Sequence, residues 1–462
     1  MLFNSYAFLF GFLPLTLAVF FALRWQTARI AFVVAASFVF YGWTVHWFPL
    51  LMTGSMAASF GSGLVIARMQ TERARKGALA VGVTATVSLL LYFKYADFPV
   101  ASSLQGLGDL GGFSVASIRD FTRHIVLPIG ISFYTFEGIS YLVDVYRGQI
   151  EAERNLLRYA YFISFFPHLI AGPIIRYAKL GPQLRTFYRF DPDLFASGAL
   201  LFSFGLAKKV LIADNIATWT DLYLAAPGQL GLLSGWGAML GYAFQIYFDF
   251  SGYCDMALGV ARMLGIELPW NFNRPYRAAS PAEFWRRWNV TLSGWLRDYL
   301  YIPLGGNRLG TARRDANLMI TMSIGGLWHG AAVNFGLWGV YQGMLLVVYR
   351  HMQSLPIRLP RPVAVAITFV LVVIGWVFFR MHGATAIGDV LSSMLGLNGL
   401  GAVSGSLVAW IVLAGALMWG TPEEWTLPLG TWRWPRFAAV GVLAGTALIW
   451  LDQSRPFIYF RF

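Results

Sequence analysis

Apolar residues recur along this 462-residue chain in stretches of roughly 17–25, the length that crosses the hydrocarbon core of a bilayer as a helix. Hydrophobic residues make up 57% of the chain and charged residues only 12%, about half the charged share of an ordinary soluble domain; the mean hydropathy is +0.58. Because the stretches are dispersed, a single anchor does not account for them, and the expected fold class is an all-α polytopic membrane protein. Candidate spans lie near residues 6–23, 30–46, 50–67 and 78–95, then near 195–213, 231–250, 252–268, 317–328, 331–349, 363–380, 404–420 and 435–451. With re-entrant pieces counted separately, roughly eleven to thirteen membrane helices are expected. No repeat of fixed period and no long linker divides the chain, so one membrane domain over residues 1–462 is expected, with a motif-rich core at 127–350 and C-terminal helices within 361–451.

The loops between the first four spans alternate in charge. Arg24 and Arg29 mark the first, "HWFP" carries no Lys or Arg, and the third holds Arg68, Arg73, Arg75 and Lys76. The fourth, near 96–118, has Asp97 and Asp109 without a basic residue. By the positive-inside rule the N-terminus faces outward and the first and third loops face the cytoplasm. The opening "MLFNSYAFLFGFLPLTLAVFFALRW" lacks a basic n-region and a small-residue cleavage site, so it reads as a retained first helix. A formal charge of +13 then describes basic loops facing anionic lipid or an anionic substrate rather than nucleic acid. Cys254 is the sole cysteine, which excludes disulfides within the chain and cysteine-based zinc or iron–sulfur sites.

Beyond Arg119 the pattern becomes irregular. "LPIGISFYTFEGISYLVDVYRG" (127–148) is interrupted by Pro128, Gly130, Glu137, Gly138 and Asp144, and "FFPHLIAGPIIRY" (165–177) by Pro167, Gly172 and Pro173. Short, tilted or re-entrant helices are expected there, tolerated where protein or a water-filled cavity covers the backbone. Residues 273–314 hold eight arginines against Glu283 and Asp298. Ser280, Pro281 and Glu283 have the form of a helix start, and Trp285, Trp288, Leu292, Trp295 and Tyr299 then recur at three- and four-residue spacing. That pattern predicts an amphipathic helix at the cytoplasmic interface, serving as a lipid-surface anchor or as the floor of a site for a phosphate-bearing substrate, to which arginine's forked donors are suited.

Of six histidines, His46, His124, His351 and His382 fall in turns or near helix ends. His168 sits in the broken segment and could line a cavity. His329, in "SIGGLWHGAAVNFGLWG", is flanked by Gly325, Gly326 and Gly330, with Trp328 before it and Asn334 after it. An ionisable group within a membrane is costly and marks a site or pathway by default. Low dielectric keeps the ring neutral and able to accept a proton. The glycines either permit close helix approach or open space for a ligand. Asp249 and Asp255, six apart at an expected helix break in "YFDFSGYCDMALG", are read as structural supports, with an ion site as the other reading. No HExxH, no GxSxG with a credible Asp/His pair and no P-loop occurs, and no metal site is expected.

Read together and in order, "LPIGISFYTFEGISYLVDVYRG", "FPHLIAGPIIRY", "FDFSGYCDMALGVARMLGIELPWNFNRPY", "FWRRWNVTLSGWLRDYLYIPLGGNR" and "GGLWHGAAVNFGLWG" resemble the membrane-bound O-acyltransferases (MBOAT), in particular the bacterial alginate O-acetyltransferase-like branch. The resemblance runs from the N-terminus to about residue 350. It implies a many-helix enzyme around a central cavity, in the bacterial inner membrane. His329 matches the family's invariant histidine, implied as the general base or as a transient carrier of the acyl group, and Asn289 a second polar position where related polysaccharide-acetylating members often carry histidine. It implies no permanently bound cofactor, with acetyl-CoA or another acyl thioester as co-substrate and Arg286, Arg287 and Arg297 near its phosphates. The implied partners are periplasmic acetyltransferase proteins and an exported polysaccharide such as alginate, alongside membrane lipids. Transfer of another acyl group, such as D-alanine, to a cell-wall polymer is the competing reading within the family. A secondary transporter using Asp249 and Asp255, and a non-enzymatic scaffold for polysaccharide secretion, are the readings outside it.

Overall fold

The computed structural model describes residues 1–95, 128–356, 359–420 and 434–458, and every element among them is helical. The 96–118 loop and His124 lie outside the described residues. Four of the described helices are long and apolar enough to cross a membrane: Phe48–Arg68, Glu72–Tyr95, Pro192–Leu224 and Arg361–Arg380. The chain forms two compact units. One comprises Met1, Phe12–Tyr188 and Gly330–Ala332, the other Leu2–Gly11, Arg189–His329 and Val333–Phe462.

In the first unit, α1 (Ala7–Ala22, of which this unit holds the part from Phe12), α2 (Gln26–Gly42), α3 (Phe48–Arg68) and α4 (Glu72–Tyr95) precede α5 (Ile131–Tyr146). The segment expected to be broken at 127–148 is thus one uninterrupted 16-residue helix. Its breakers act as boundaries. Gly130 sits at φ 83° just before it, where a side chain would meet the Leu169 carbonyl oxygen at 2.6 Å, and Gly148 at φ 68° lies just beyond it. Only glycine adopts this conformation without cost. Within the helix, Glu137 is tolerated because it is matched: His168 Nδ1 lies 3.0 Å from its Oε1, and the Ile175 amide donates to the same oxygen at 3.2 Å. His168 is fully buried and does not line a cavity. The segment around it is broken as expected, into α6 (Leu156–Ser164), the single turn α7 (Phe166–Leu169) and α8 (Tyr177–Gln183). Asn155 caps α6, accepting from the Leu157 and Arg158 amides at 2.9 and 3.1 Å.

The second unit is built on α9 (Pro192–Leu224) and α10 (Leu232–Met263). The two spans expected at 231–250 and 252–268 are one 32-residue helix, so Asp249 and Asp255 do not flank a break. Gly252 interrupts nothing; it is where the two helices cross. A Cβ on Gly252 would lie 2.7 Å from the Gly205 carbonyl oxygen, one on Gly205 2.5 Å from that of Gly252, and Gly198 and Gly259 make the same close approach one heptad away. Small residues permit this backbone proximity between membrane helices.

Close packing carries buried charge with it. Within α9, Lys208–Ala213 form a π-helical turn. Lys208 Nζ reaches Asp255 Oδ2 at 2.7 Å, and Lys209 Nζ lies 2.6 Å from both Asp214 Oδ1 and Asp249 Oδ1. The second oxygens of Asp249 and Asp214 accept from the chain's last described stretch, Asp249 Oδ2 from the Ile458 amide at 2.7 Å and Asp214 Oδ2 from that of Arg455 at 3.2 Å. These contacts fit the reading of Asp249 and Asp255 as supports. Burying a charge is tolerable only when it is paired and hydrogen-bonded.

Candidate active site

The segment expected to form one interfacial helix is folded otherwise. It divides into α11 (Pro281–Trp285), α12 (Val290–Leu296) and a π-helical turn at Arg297–Tyr301. The N-terminal signal holds, since Ser280 Oγ accepts from the Glu283 amide at 3.1 Å, while the Glu283 carboxylate accepts from the Ala279 amide at 2.8 Å. The break falls at Asn289, whose φ of 42° and ψ of 57° are left-handed. Asparagine enters this region more readily than other non-glycine residues. Trp285, Trp288, Leu292 and Trp295 are all buried. Their helical spacing therefore reports packing against protein, and the lipid-anchor reading is set aside.

A remote side chain caps the new helix. Asn271 Oδ1 accepts from the Thr291 amide at 3.1 Å and its hydroxyl at 2.8 Å, and the Asn271 carbonyl accepts from the Val290 amide at 2.9 Å. Asn289 provides no cap of its own, although it occupies the N-cap position, and it is 2% exposed.

His329 is the last residue of α13 (Thr311–His329), and α14 (Val333–Met352) begins four residues on. The glycines before it are only partly what the sequence suggested. A Cβ on Gly326 would press into the Phe335 carbonyl oxygen and lie 2.9 Å from Gly339 Cα, and one on Gly325 would lie 3.0 Å from Leu296 Cδ1. Gly326 serves close helix approach rather than open space. The imidazole, 7% exposed, is held edge-to-face by Trp328 at 4.8 Å, Trp338 at 5.2 Å and Phe379 at 5.1 Å between ring centroids. Phe379 belongs to α15 (Arg361–Arg380). Asn334 does not join this shell; its amide donates to the Phe378 carbonyl at 3.1 Å.

Aromatic contacts connect this ring to the Asn289 segment. Trp338 meets Trp285 at 5.7 Å and stacks on Trp376 at 6.1 Å, and Trp376 meets Trp288, the residue before Asn289, at 5.0 Å. His329 and the Asn289 segment therefore stand on one framework of α11, α14 and α15. The arginines divide. Arg287 is engaged, donating to Glu283 Oε1 at 2.9 Å and to the Asn273 carbonyl at 3.0 Å. Arg286 and Arg297 are exposed, and Arg297 forms a forked pair with Asp298 at 2.6 and 3.1 Å. At the far end of α13, His351 Nε2 lies 2.7 Å from Asp315 Oδ2, an exposed contact.

A buried imidazole held by rings on three sides, linked through Trp338 and Trp376 to the Asn289 segment, suits proton transfer. Residues 152–383 match the membrane-bound O-acyltransferase family. The chain belongs to this family. His329, Asn289 and the three arginines all lie within the matched region. The protein of Pseudomonas aeruginosa named "Probable alginate O-acetylase AlgI" is 41% identical over 456 residues, covering 95% of this chain and 85% of its own. The peptidoglycan O-acetyltransferase of Helicobacter pylori is 38% identical over 436 residues, covering 87% and 81%. The teichoic acid D-alanyltransferase of Bacillus subtilis is 30% identical over 276 residues, covering 56% and 69%. The chain is thus an O-acyltransferase of the alginate O-acetyltransferase-like branch and a multi-pass membrane protein, and the transporter and scaffold readings fall.

Proposed function

We propose that this membrane-bound O-acyltransferase takes an acetyl group from a cytoplasmic thioester, acetyl-CoA, and passes it across the bacterial inner membrane for O-acetylation of an exported polysaccharide. Neutral His329 is the general base toward the acceptor hydroxyl. Asn289 orients the acceptor or the acyl carbonyl. Arg286 and Arg297, exposed on a basic segment, favour the donor's phosphates, while Arg287 holds the segment's shape. The N-terminus faces the periplasm, where acetyltransferase partner proteins complete the transfer to the polymer. The full set of about eleven to thirteen membrane helices around a central cavity belongs to this proposal.

The observation that carries the reading is the buried, ring-clamped His329 at the end of α13, joined through Trp338 and Trp376 to the Asn289 segment. Identity of 41% over nearly the whole chain, against 30% over about half for the D-alanyl relative, favours acetyl over D-alanyl transfer. The test is the O-acetyl content of exported polysaccharide in cells carrying wild-type or His329→Ala protein at matched membrane abundance. The variant is expected to lose acetylation; undiminished acetylation would remove His329 from the reaction.

A further inference from the structure

Three indoles, Trp285, Trp338 and Trp376, join in one cluster of ring contacts that reaches His329 through Trp338, and their N–H groups meet different fates. Trp285 Nε1 donates to Gln342 Oε1 at 3.3 Å. Trp376 Nε1 donates to the Tyr276 hydroxyl at 3.2 Å, and that hydroxyl donates onward to the Ala243 carbonyl at 2.6 Å. Trp338 is 1% exposed, yet its Nε1 has no acceptor among the described residues. An indole nitrogen can only donate, and a buried tryptophan usually finds its N–H a partner. The exception is the indole whose ring meets the His329 imidazole edge-to-face at 5.2 Å and 90°.

The position is well fixed. Trp338 is stacked on Trp376, meets Trp285, and contacts Phe379 at 5.2 Å. A donor clamped on several sides, next to a general base and with unused bonding capacity, is what acyl transfer requires where charge develops on the carbonyl oxygen. The reacting carbon need only lie within about 3 Å of groups that both residues can reach.

We propose that Trp338 is a catalytic residue whose Nε1–H donates a hydrogen bond to the acyl carbonyl oxygen of the thioester as it becomes an oxyanion; this rests on His329 acting as the general base. His329 takes the proton of the acceptor hydroxyl, whose oxygen forms the new bond to the acyl carbon. The carbonyl π pair moves onto oxygen and is held by Trp338 Nε1–H. Collapse restores the carbonyl and breaks the carbon–sulfur bond, the pair leaving on sulfur. The imidazolium returns its proton to the thiolate, so ester and thiol are the products and His329 ends neutral.

The test replaces Trp338 with 3-benzothienylalanine, in which sulfur takes the place of N–H and the bicyclic shape is kept. The full-length protein is expressed in cells lacking their own copy, and the initial rate of O-acetyl accumulation on exported polysaccharide is read at matched membrane abundance. A fall of about 10²–10³ is expected, the loss seen when one oxyanion donor is removed. Trp338→Phe is expected to lose at least as much. The same analogue at Trp236, whose Nε1 donates to the Met394 carbonyl at 2.9 Å outside this cluster, is expected to stay within threefold. If the analogue at Trp338 keeps the wild-type rate while His329→Ala abolishes it, the proposal fails and the base survives. If both keep the rate, the reading of His329 falls with it. Equal losses at Trp236 and Trp338 would overturn the proposal by showing that the loss is not particular to the site.

Discussion

Replacing Lys209 with methionine should be among the most damaging single changes to the second unit. Methionine fills a similar volume, so the effect isolates the charge. The ammonium sits 2.6 Å from Asp214 and 2.6 Å from Asp249, and all three side chains are under a tenth exposed. Two charge-assisted contacts are lost, each worth about 1.5–3 kcal/mol, and two carboxylates are left facing each other. Uptake of a proton by one of them limits the penalty, which places the loss at about 3–5 kcal/mol, the range for breaking a buried pair by removing one partner. Asp249→Asn should cost less, because Lys209 keeps Asp214 and the amide oxygen can still accept from the Ile458 amide. The double variant should be less destabilised than the sum of the two by at least about 1 kcal/mol, since the sites share one network. The assay is reversible unfolding in mixed micelles of increasing denaturing detergent, followed by far-UV circular dichroism. A Lys209→Met loss below about 1 kcal/mol, or strict additivity in the double variant, would refute the reasoning.

Two further outcomes follow from other parts of the structure. Gly326→Val should prevent α13 and α14 from closing, because the added carbons would press into the Phe335 carbonyl and Gly339; loss of several kcal/mol is expected, with acetylation falling alongside membrane abundance, and a normally abundant, active variant would contradict the packing. For Glu283, partial burial pushes the carboxyl's pKa upward, but the Ala279 amide and Arg287 outweigh it and hold the group below the usual glutamate range. Its contribution is therefore present above the ordinary carboxylate range and lost as pH falls through its lowered pKa. Glu283→Gln should cost about 1 kcal/mol at neutral pH and flatten the acid limb of a thermal-stability profile, and an unchanged limb would count against it.

Much of the helical layout was legible from hydropathy alone, because a bilayer-length apolar stretch leaves the backbone few alternatives. The start at Ser280 was legible too, being a local hydrogen bond. What escaped was set by distant partners. The polar step at Asp249–Asp255 looked like a helix break because Lys208 and Lys209, some forty residues earlier, offered no local sign that they would meet those carboxylates. The tryptophans after Ser280 kept helical spacing across a point where the helix is broken, since the left-handed Asn289 and the remote cap from Asn271 leave no periodic trace. His329 stood out because an imidazole in an apolar run is costly. The Trp338 indole beside it did not, because one tryptophan among eighteen looks like packing until its neighbours' bonds are counted.

The pairing of α9 with α10 also bears on how the chain enters the membrane. α10 is about 48 Å long at 1.5 Å per residue, yet it is not among the four helices apolar enough to cross a membrane by themselves. Its two aspartates would each cost about 2.5–3.5 kcal/mol at mid-bilayer during insertion, and the two lysines of α9 as much again. Matched to each other, these charges no longer face lipid. Insertion as a joined hairpin is thus far cheaper than one helix at a time, and the two glycine crossings let the pair close before the rest of the unit has been made.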